Sequence, residues 1–274
     1  AMSFVLIYKS SMVVNFAQGE FLLVGAWACW WLLSQFSLPF YAAFIFTLIF
    51  MSLFGIIIQL VVLRPLIGEP VISIIMVTIG LSIFFQAIMK WMFGVFAEPF
   101  PQIFPSKSIS ILGLNIQTVY IMSGLISIFI MISFAIFFKK SRLGLAMRAT
   151  AFDQQAAQSL GVSVKEVFSA AWAISALVSA VAGVVFGIVN GVSSGISIIG
   201  IKVFPAVILG GLDSILGAVL GGMVIGILEN FAQYLDVQYL NIGNLYNIAP
   251  FYALIIILMI KPYGFFGTKD IERV

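Results

Sequence analysis

The sequence predicts an all-α protein, a polytopic transmembrane bundle of about eight helices with a re-entrant or broken helix pair in its C-terminal half. Three observations predict it. Of the 274 residues, 62% are hydrophobic and 8% are charged, against about 25% charged in a soluble domain, so a water-soluble fold could not hide the apolar surface. The apolar residues come in long runs, near the roughly 20 residues that a membrane-crossing helix needs. The basic residues, which leave a net charge of +3, sit in short connecting segments. That is how lysine and arginine are distributed on the cytoplasmic side of membrane proteins, and it argues against a nucleic-acid-binding surface.

The elements follow in order. Ala1 to Tyr8 is a short apolar piece without a basic leader or cleavage site, and it reads as the tail of a helix that begins further upstream. Spanning helices are expected at Glu20–Phe36, Phe40–Leu63, Val71–Phe93, Val119–Phe138, Val167–Asn190 and Ile248–Ile260. Lys139, Lys140, Arg142 and Arg148 cluster in one loop and Lys261, Lys269 and Arg273 close the chain, which puts both places, with Arg64, in the cytoplasm. Gly94–Gln117, with Glu98, Lys107 and three prolines (Pro99, Pro101, Pro105), then lies outside.

Parity bears on the remaining stretch, Val203–Leu228. The chain crosses an even number of times between the two basic places, and Val167–Asn190 and Ile248–Ile260 supply two crossings. Val203–Leu228 should therefore make no net crossing. Each half reaches about 15–20 Å, which predicts a re-entrant or broken pair with Gly210–Ser214 at its tip. Non-helical backbone at that depth needs protein or a water-filled cavity around it, so the tip is expected beside a permeation path, with Pro205, Gly210, Gly211 and Asp213 on that path. A kinked ordinary helix is the plain alternative. Gly217, Gly221 and Gly222 fit close helix packing, Gly217-x-x-x-Gly221 being a literal small-residue pattern.

The whole chain reads as one transmembrane domain, with residues 141–166 as a cytoplasmic loop inside it. In that loop Thr150-Ala-Phe-Asp153 has the form of a capping box, and Gly161 is the residue a helix prefers beyond its C-terminus, so Ala151–Leu160 is expected to be a short capped helix. Phe152, Ala156 and Leu160 recur on one face of it, with Asp153 among the polar remainder. Ser163-Val-Lys-Glu166 repeats the capping signature and starts the next spanning helix. Such a rod either transmits the movement of a docked cytoplasmic partner or lies passively on the lipid.

Near the start, Asn15, Gln18 and Glu20 put polar groups beside an apolar run. A carboxylate inside a membrane is expensive and often functional, yet Glu20 also fits a helix N-terminus, where the macrodipole favours an acid. Lys90 and Glu229 lie near helix ends, where long charged side chains snorkel. One cysteine, Cys29, and no histidine argue against disulfide, redox and metal chemistry, and the chain has no phosphate-binding loop of the Gly-x-x-x-x-Gly-Lys-Ser/Thr kind. No catalytic residue and no metal ligand is expected.

Several stretches together resemble the permease subunits of branched-chain amino-acid ABC transporters, in particular the smaller of the two that pair there. They are Asn15-Phe-Ala-Gln-Gly-Glu20, Arg64-Pro65-Leu66 leading into Thr78-Ile-Gly-Leu-Ser82, Arg142-Leu-Gly-Leu-Ala-Met-Arg-Ala149 with Asp153 and Leu160-Gly161, Phe204 to Gly222, and Lys261-Pro-Tyr-Gly-Phe-Phe-Gly267. The resemblance runs almost end to end. It implies about eight helices, a second homologous permease subunit, two cytoplasmic ATP-binding subunits that hold ATP and magnesium, and an external solute-binding protein. It further implies the cytoplasmic (inner) membrane of a bacterium or archaeon, a cytoplasmic C-terminus, and no cofactor in this chain. The loop around Arg148, Thr150, Phe152, Asp153, Ala156, Leu160 and Gly161 is then the one that couples to the ATPase, while Asn15, Gln18 and Glu20 join the translocation path. Two positions depart from the pattern: Gln18 stands where relatives usually carry His, and Asp213 where a small residue is usual. Importers of urea and short amides are close relatives. From another class, a secondary transporter or channel working without an ATPase also uses broken helices.

Overall fold

The computed structural model describes residues 1–66, 69–105, 107–111, 113–261 and 264–267. Lys269 and Arg273, expected at the cytoplasmic end, lie outside the described residues. Among the described residues eleven α-helices carry the fold: α1 Met2–Ser11, α2 Gln18–Gln35, α3 Phe40–Ile58, α4 Val71–Phe93, α5 Thr118–Lys140, α6 Arg142–Phe152, α7 Gln154–Ser159, α8 Val164–Asn190, α9 Ile198–Gly210, α10 Ile215–Leu235 and α11 Leu245–Ile260. α3 runs on through a π turn and a 3-10 turn to Leu66, and α10 through a π turn to Leu240. Among the described residues five segments are long and apolar enough to cross a membrane, and Ser194–Gly210 and Leu245–Ile260 are shorter apolar helices. With α2, these make the eight expected.

The boundaries have local causes. Pro39 and Pro70 hold extended backbone immediately before α3 and α4, as a proline-fixed φ with no N–H to donate allows at a helix start. α4 and α8 stop at Gly94 and Gly191, both at φ near 80°, where a side chain would be strained. The connection from α4 to α5 holds something periodicity did not signal, a hairpin of β1 Ser108–Ile111 and β2 Leu114–Gln117. Glu98 and Val192 exchange backbone hydrogen bonds of 2.8 Å in both directions, which ties this connection to the end of α8.

α8 is the central mast. Half of its best apolar window is buried, against 11% for α4. Lipid is as apolar as leucine, so close approach rather than hydrophobicity draws such helices together, and small residues permit it. Along α8, Ala176, Ala180 and Gly183 serve this purpose: a Cβ at Gly55 would fall 2.9 Å from that of Ala176, one at Gly25 2.7 Å from that of Ala180, and one at Gly183 on the Leu22 carbonyl.

The α9–α10 hairpin is broken at Gly211–Ser214, as expected, and its helices touch through Gly210 on Gly217 and Ala206 on Gly221. Gly222 takes no part in that contact, with only Ala1 nearby. The arms differ from the sequence reading. The second runs 26 residues to Leu240, about 39 Å, a full crossing. The tip is also not at half depth: the Lys9 ammonium donates to the Asp213 carbonyl at 2.7 Å, and the amides of Phe265 and Phe266 donate to the carbonyls of Leu209 and Gly210. Lys9 and Arg148 both lie over the Phe138 ring. The tip thus stands at the basic end of the bundle. Parity does not distinguish the two arrangements: the first arm begins early, at Ser194, and a pair of long arms, like a re-entrant pair, leaves the sum of crossings even.

Candidate functional sites: a polar seam inside the bundle and an exposed elbow

α2 begins inside the protein. α1 descends from Ser3, the chain turns at Met12 with φ 56°, and residues 13–17 return without helix, so that Gln18 comes beside Ser3. The Gln18 amide nitrogen donates to Ser3 Oγ at 3.1 Å, to Ser175 Oγ at 3.2 Å and to Ser179 Oγ. Its oxygen accepts from Asn15 Nδ2 at 3.0 Å, and Asn15 Oδ1 accepts from the Ala17 amide at 3.0 Å. All five side chains are buried. Two amide protons shared among three hydroxyls make a network in which each member orients the next. A cavity of about 510 Å³ borders Ser3 and Gln18 and is otherwise walled mainly by apolar residues such as Leu22, Val178, Ile199 and Val203.

One turn along, α2, α4 and the start of α9 meet. A Cβ at Gly19 would fall on the Ser197 carbonyl and 2.9 Å from Gly200 Cα, so the two helix beginnings are pressed backbone to backbone. Beside this crossing Glu20, 3% exposed, accepts from Ser82 Oγ at 3.0 Å; its other oxygen has no hydrogen-bond partner among the described residues. Gln86 donates to Ser197 Oγ at 2.9 Å and accepts from the Lys90 ammonium at 3.2 Å. Lys90 stays exposed in the last turn of α4 while its ammonium donates to Gln86. Glu229 is instead paired: Lys202 stands 3.1 Å from it and also over the Tyr246 ring, linking α9, α10 and α11.

The expected path residues therefore divide. Asn15 and Gln18 are together and Glu20 is next to them, whereas Pro205 is buried within α9, Gly210 and Gly211 are packing and turn positions, and Asp213 sits at the basic end. Gly211, at φ 100°, lies against the backbone of Gly267. Missed from the sequence were Ser3, Ser82, Gln86, Ser175, Ser179 and Ser197. The i, i+4 pairs Ser82/Gln86 and Ser175/Ser179 on apolar helices were the available signal.

The second candidate site is the connection from α5 to α8. Ser141 Oγ caps α6 by accepting from the Gly144 amide at 2.8 Å, and Arg148 reaches back to the Phe138 carbonyl. The expected capping box is not what forms. Thr150 is a buried residue inside α6, and the cap of the following helix is Asp153, whose Oδ1 accepts from the amides of Gln155 at 2.8 Å and Ala156 at 2.9 Å. Asp153 is extended backbone, so Ala151–Leu160 is an elbow between α6 and the six-residue α7, not one helix. Gly161, at φ 84°, closes it: its amide donates to Gln158 at 2.9 Å and that of Val162 to Ala157 at 3.0 Å, the Schellman arrangement. Ser163 stands at the N-cap of α8 but makes no side-chain capping bond. Ala157 faces the bundle, while Phe152 and Leu160 are 94% and 84% exposed and Ala156 is exposed with them. The loop thus carries two large apolar side chains on a capped backbone, and neither side chain is covered by the described residues.

The chain is similar to known transport proteins along its whole length. The family described as "Branched-chain amino acid transport system / permease component" matches residues 1–260. The high-affinity branched-chain amino acid transport system permease protein BraD of Pseudomonas aeruginosa is 31% identical over 289 residues, covering all of this chain and 92% of that protein. The permease protein LivH of Escherichia coli K12 is 28% identical over all of this chain and 92% of its own length, and the probable LivH of Methanocaldococcus jannaschii 28% over all of this chain and 90% of its own. No solved structure matches the chain significantly. A multi-pass apolar bundle with that end-to-end likeness belongs to the branched-chain amino acid transport system permease family.

Proposed function

We propose that the chain is the membrane-spanning permease subunit of an ATP-driven importer for branched-chain amino acids in the cytoplasmic membrane of a bacterium or archaeon. It works with a second homologous permease subunit, two cytoplasmic ATP-binding subunits that hold ATP and magnesium, and an external solute-binding protein. The elbow of α6 and α7 and the C-terminus face the cytoplasm. The observation that carries the reading is the exposure of Phe152 and Leu160 on a backbone held by Asp153 and closed at Gly161. Burying two such side chains against a partner stabilises the contact by about 1.5–3 kcal/mol each, and a rigid mount passes the partner's movement into α5 and α8. The printed names of the relatives support the solute class, and the gathering of Lys9, Arg148 and Lys261 at one end supports the sidedness.

The test is the double variant Phe152→Asp, Leu160→Asp in the assembled transporter. Losing both burials weakens ATPase docking by roughly 10²-fold or more, since each 1.4 kcal/mol is tenfold, so ATP-driven leucine uptake is lost while membrane insertion is retained. Undiminished uptake by the inserted variant refutes the coupling role, and solute movement by the permease alone, with no ATPase, refutes the importer reading in favour of a channel or secondary transporter.

A further inference from the structure

The seam between α2 and α4 holds a carboxylate and an ammonium that the fold itself does not pair with each other. Glu20 has one oxygen bonded to Ser82 and one without a hydrogen-bond partner among the described residues, although the side chain is 3% exposed. An intramembrane carboxylate left in that state is costly unless something with a positive charge meets it. Two turns of α4 above Ser82, the exposed Lys90 leans back onto Gln86 at 3.2 Å, and Ser82, Gln86 and Lys90 follow one another on one face of α4. Gln86 is itself anchored on Ser197 at 2.9 Å. Directly along the same faces of the two helices lies an apolar cavity of about 430 Å³, walled by Val24, Trp27, Trp31, Phe50, Met89 and Phe93. Trp27 and Phe93 stack there at 4.5 Å. Val24, one helical turn beyond Glu20, and Met89, next to Lys90, both line the cavity, so the seam and the cavity follow one another along the same two helices and together outline a groove.

We propose that this groove binds an apolar α-amino acid as its zwitterion, with the solute's ammonium on Glu20, its carboxylate on Lys90, and its aliphatic side chain in the aromatic cavity. The proposal rests on the transport reading above and adds where the permease itself contacts the solute. The chemistry is complementary group by group. A protein carboxylate and ammonium held apart on neighbouring helices match the two charges of an amino acid, and neither urea nor a simple amide offers both. The cavity, free of charged lining residues, rewards an added methylene by about 0.8 kcal/mol and so favours branched aliphatic side chains.

The test places a cysteine at Ala28, which lines the cavity, in a Cys29→Ala background, and follows its alkylation by N-ethylmaleimide in membranes holding the complete transporter. Leucine is expected to protect it, whereas 4-methylpentanoic acid, lacking the ammonium, and 3-methylbutylamine, lacking the carboxylate, need at least tenfold higher concentration. Glu20→Gln and Lys90→Met are each expected to raise the concentration of leucine needed for protection, and the KM for uptake, at least tenfold. Lys90 is exposed, so Lys90→Met decides the matter even if Glu20→Gln does not fold. Equal protection by leucine and its two charge-deficient analogues, or an unchanged KM in Lys90→Met, overturns the zwitterion site while leaving the importer intact. Absence of any ATP-driven uptake by the unsubstituted transporter overturns the functional reading instead.

Discussion

Replacing Gly183 with alanine separates backbone packing from helix propensity, the two forces that Gly→Ala brings into play in any helix. A Cβ at Gly183 would fall on the Leu22 carbonyl oxygen and 2.9 Å from its carbonyl carbon, where ordinary contact begins near 3.4 Å. Both colliding atoms are backbone, so no rotamer change relieves them, and α2 must move away from α8 by about half an ångström or more. Overpacking of this kind costs about 1–3 kcal/mol. Against it, alanine is the better helix former by about 0.8–1 kcal/mol. Gly226, inside α10, meets nothing within 4 Å, so Gly226→Ala carries the propensity gain alone. The difference between the two variants is therefore the packing cost by itself, about 1–3 kcal/mol, or roughly a five- to 150-fold change in the folding equilibrium at 1.4 kcal/mol per tenfold. Unfolding of the purified protein in mixed micelles by increasing sodium dodecyl sulfate, followed by circular dichroism, measures it. Gly183→Ala shifts the midpoint down relative to Gly226→Ala; equal midpoints refute the claim that backbone contact sets the α2–α8 distance.

Three further outcomes follow from the same structure. Gln18→Leu removes the acceptor of Asn15 and the donor to Ser3, Ser175 and Ser179; because Ser175 and Ser179 keep bonds to the Ser3 carbonyl and hydroxyl at 3.1 Å, the loss is that of one or two stranded groups, about 1–3 kcal/mol, read by the same detergent unfolding. Asp236 accepts from the amides of Ile242 at 2.9 Å and of Gly243 and Leu245 at 3.0 Å, so Asp236→Ala frees the α10–α11 turn and raises its protease cleavage rate several-fold, whereas an unchanged rate means the clamp is dispensable. In a Cys29→Ala background, cysteines at Gln154 and Gln102 should be labelled by a membrane-impermeant thiol reagent from opposite sides of the membrane; labelling from one side inverts or breaks the topology.

Spanning helices were legible because length and apolarity alone define them: α4 begins and ends at the residues expected, and α3, α5 and α8 differ only by a turn or less at each end, apart from α3's continuation to Leu66. What escaped is whatever depends on where a helix begins in depth. Gln18 looks in the sequence like the start of an ordinary span, and its position inside the bundle follows from a non-helical return after Met12 that no periodicity encodes. The same holds for α9, whose first turn at Ser194–Ser197 was hidden because Ser, Gly and Ile alternate there with no clear period. The elbow failed differently. Thr150 and Asp153 both satisfy a capping pattern, and the choice between them was made by packing, since Thr150 is buried and Asp153 is free to cap.

The misses at the starts of α2 and α9 share a cause, and it bears on the polar seam. Polar side chains are tolerated inside an apolar bundle where helix starts leave backbone groups that need partners, and here the start of α2 and the first turn of α9 meet at Gly19 and Gly200. Glycine at both positions lets the two N-terminal ends approach until Ser197, Gln86, Ser82 and Glu20 fall within one hydrogen-bonded seam. A side chain at either glycine would separate them and leave each polar group to find a partner in lipid. The hydrogen bonds of this contact run between side chains of different helices, from α4 to α2 and from α4 to the turn that leads into α9. A displacement entering through the elbow reaches α8 directly, and α8 holds Ser175 and Ser179 against Gln18. The beginning of α2 is therefore the point at which motion from the basic end of the bundle would first alter the polar seam.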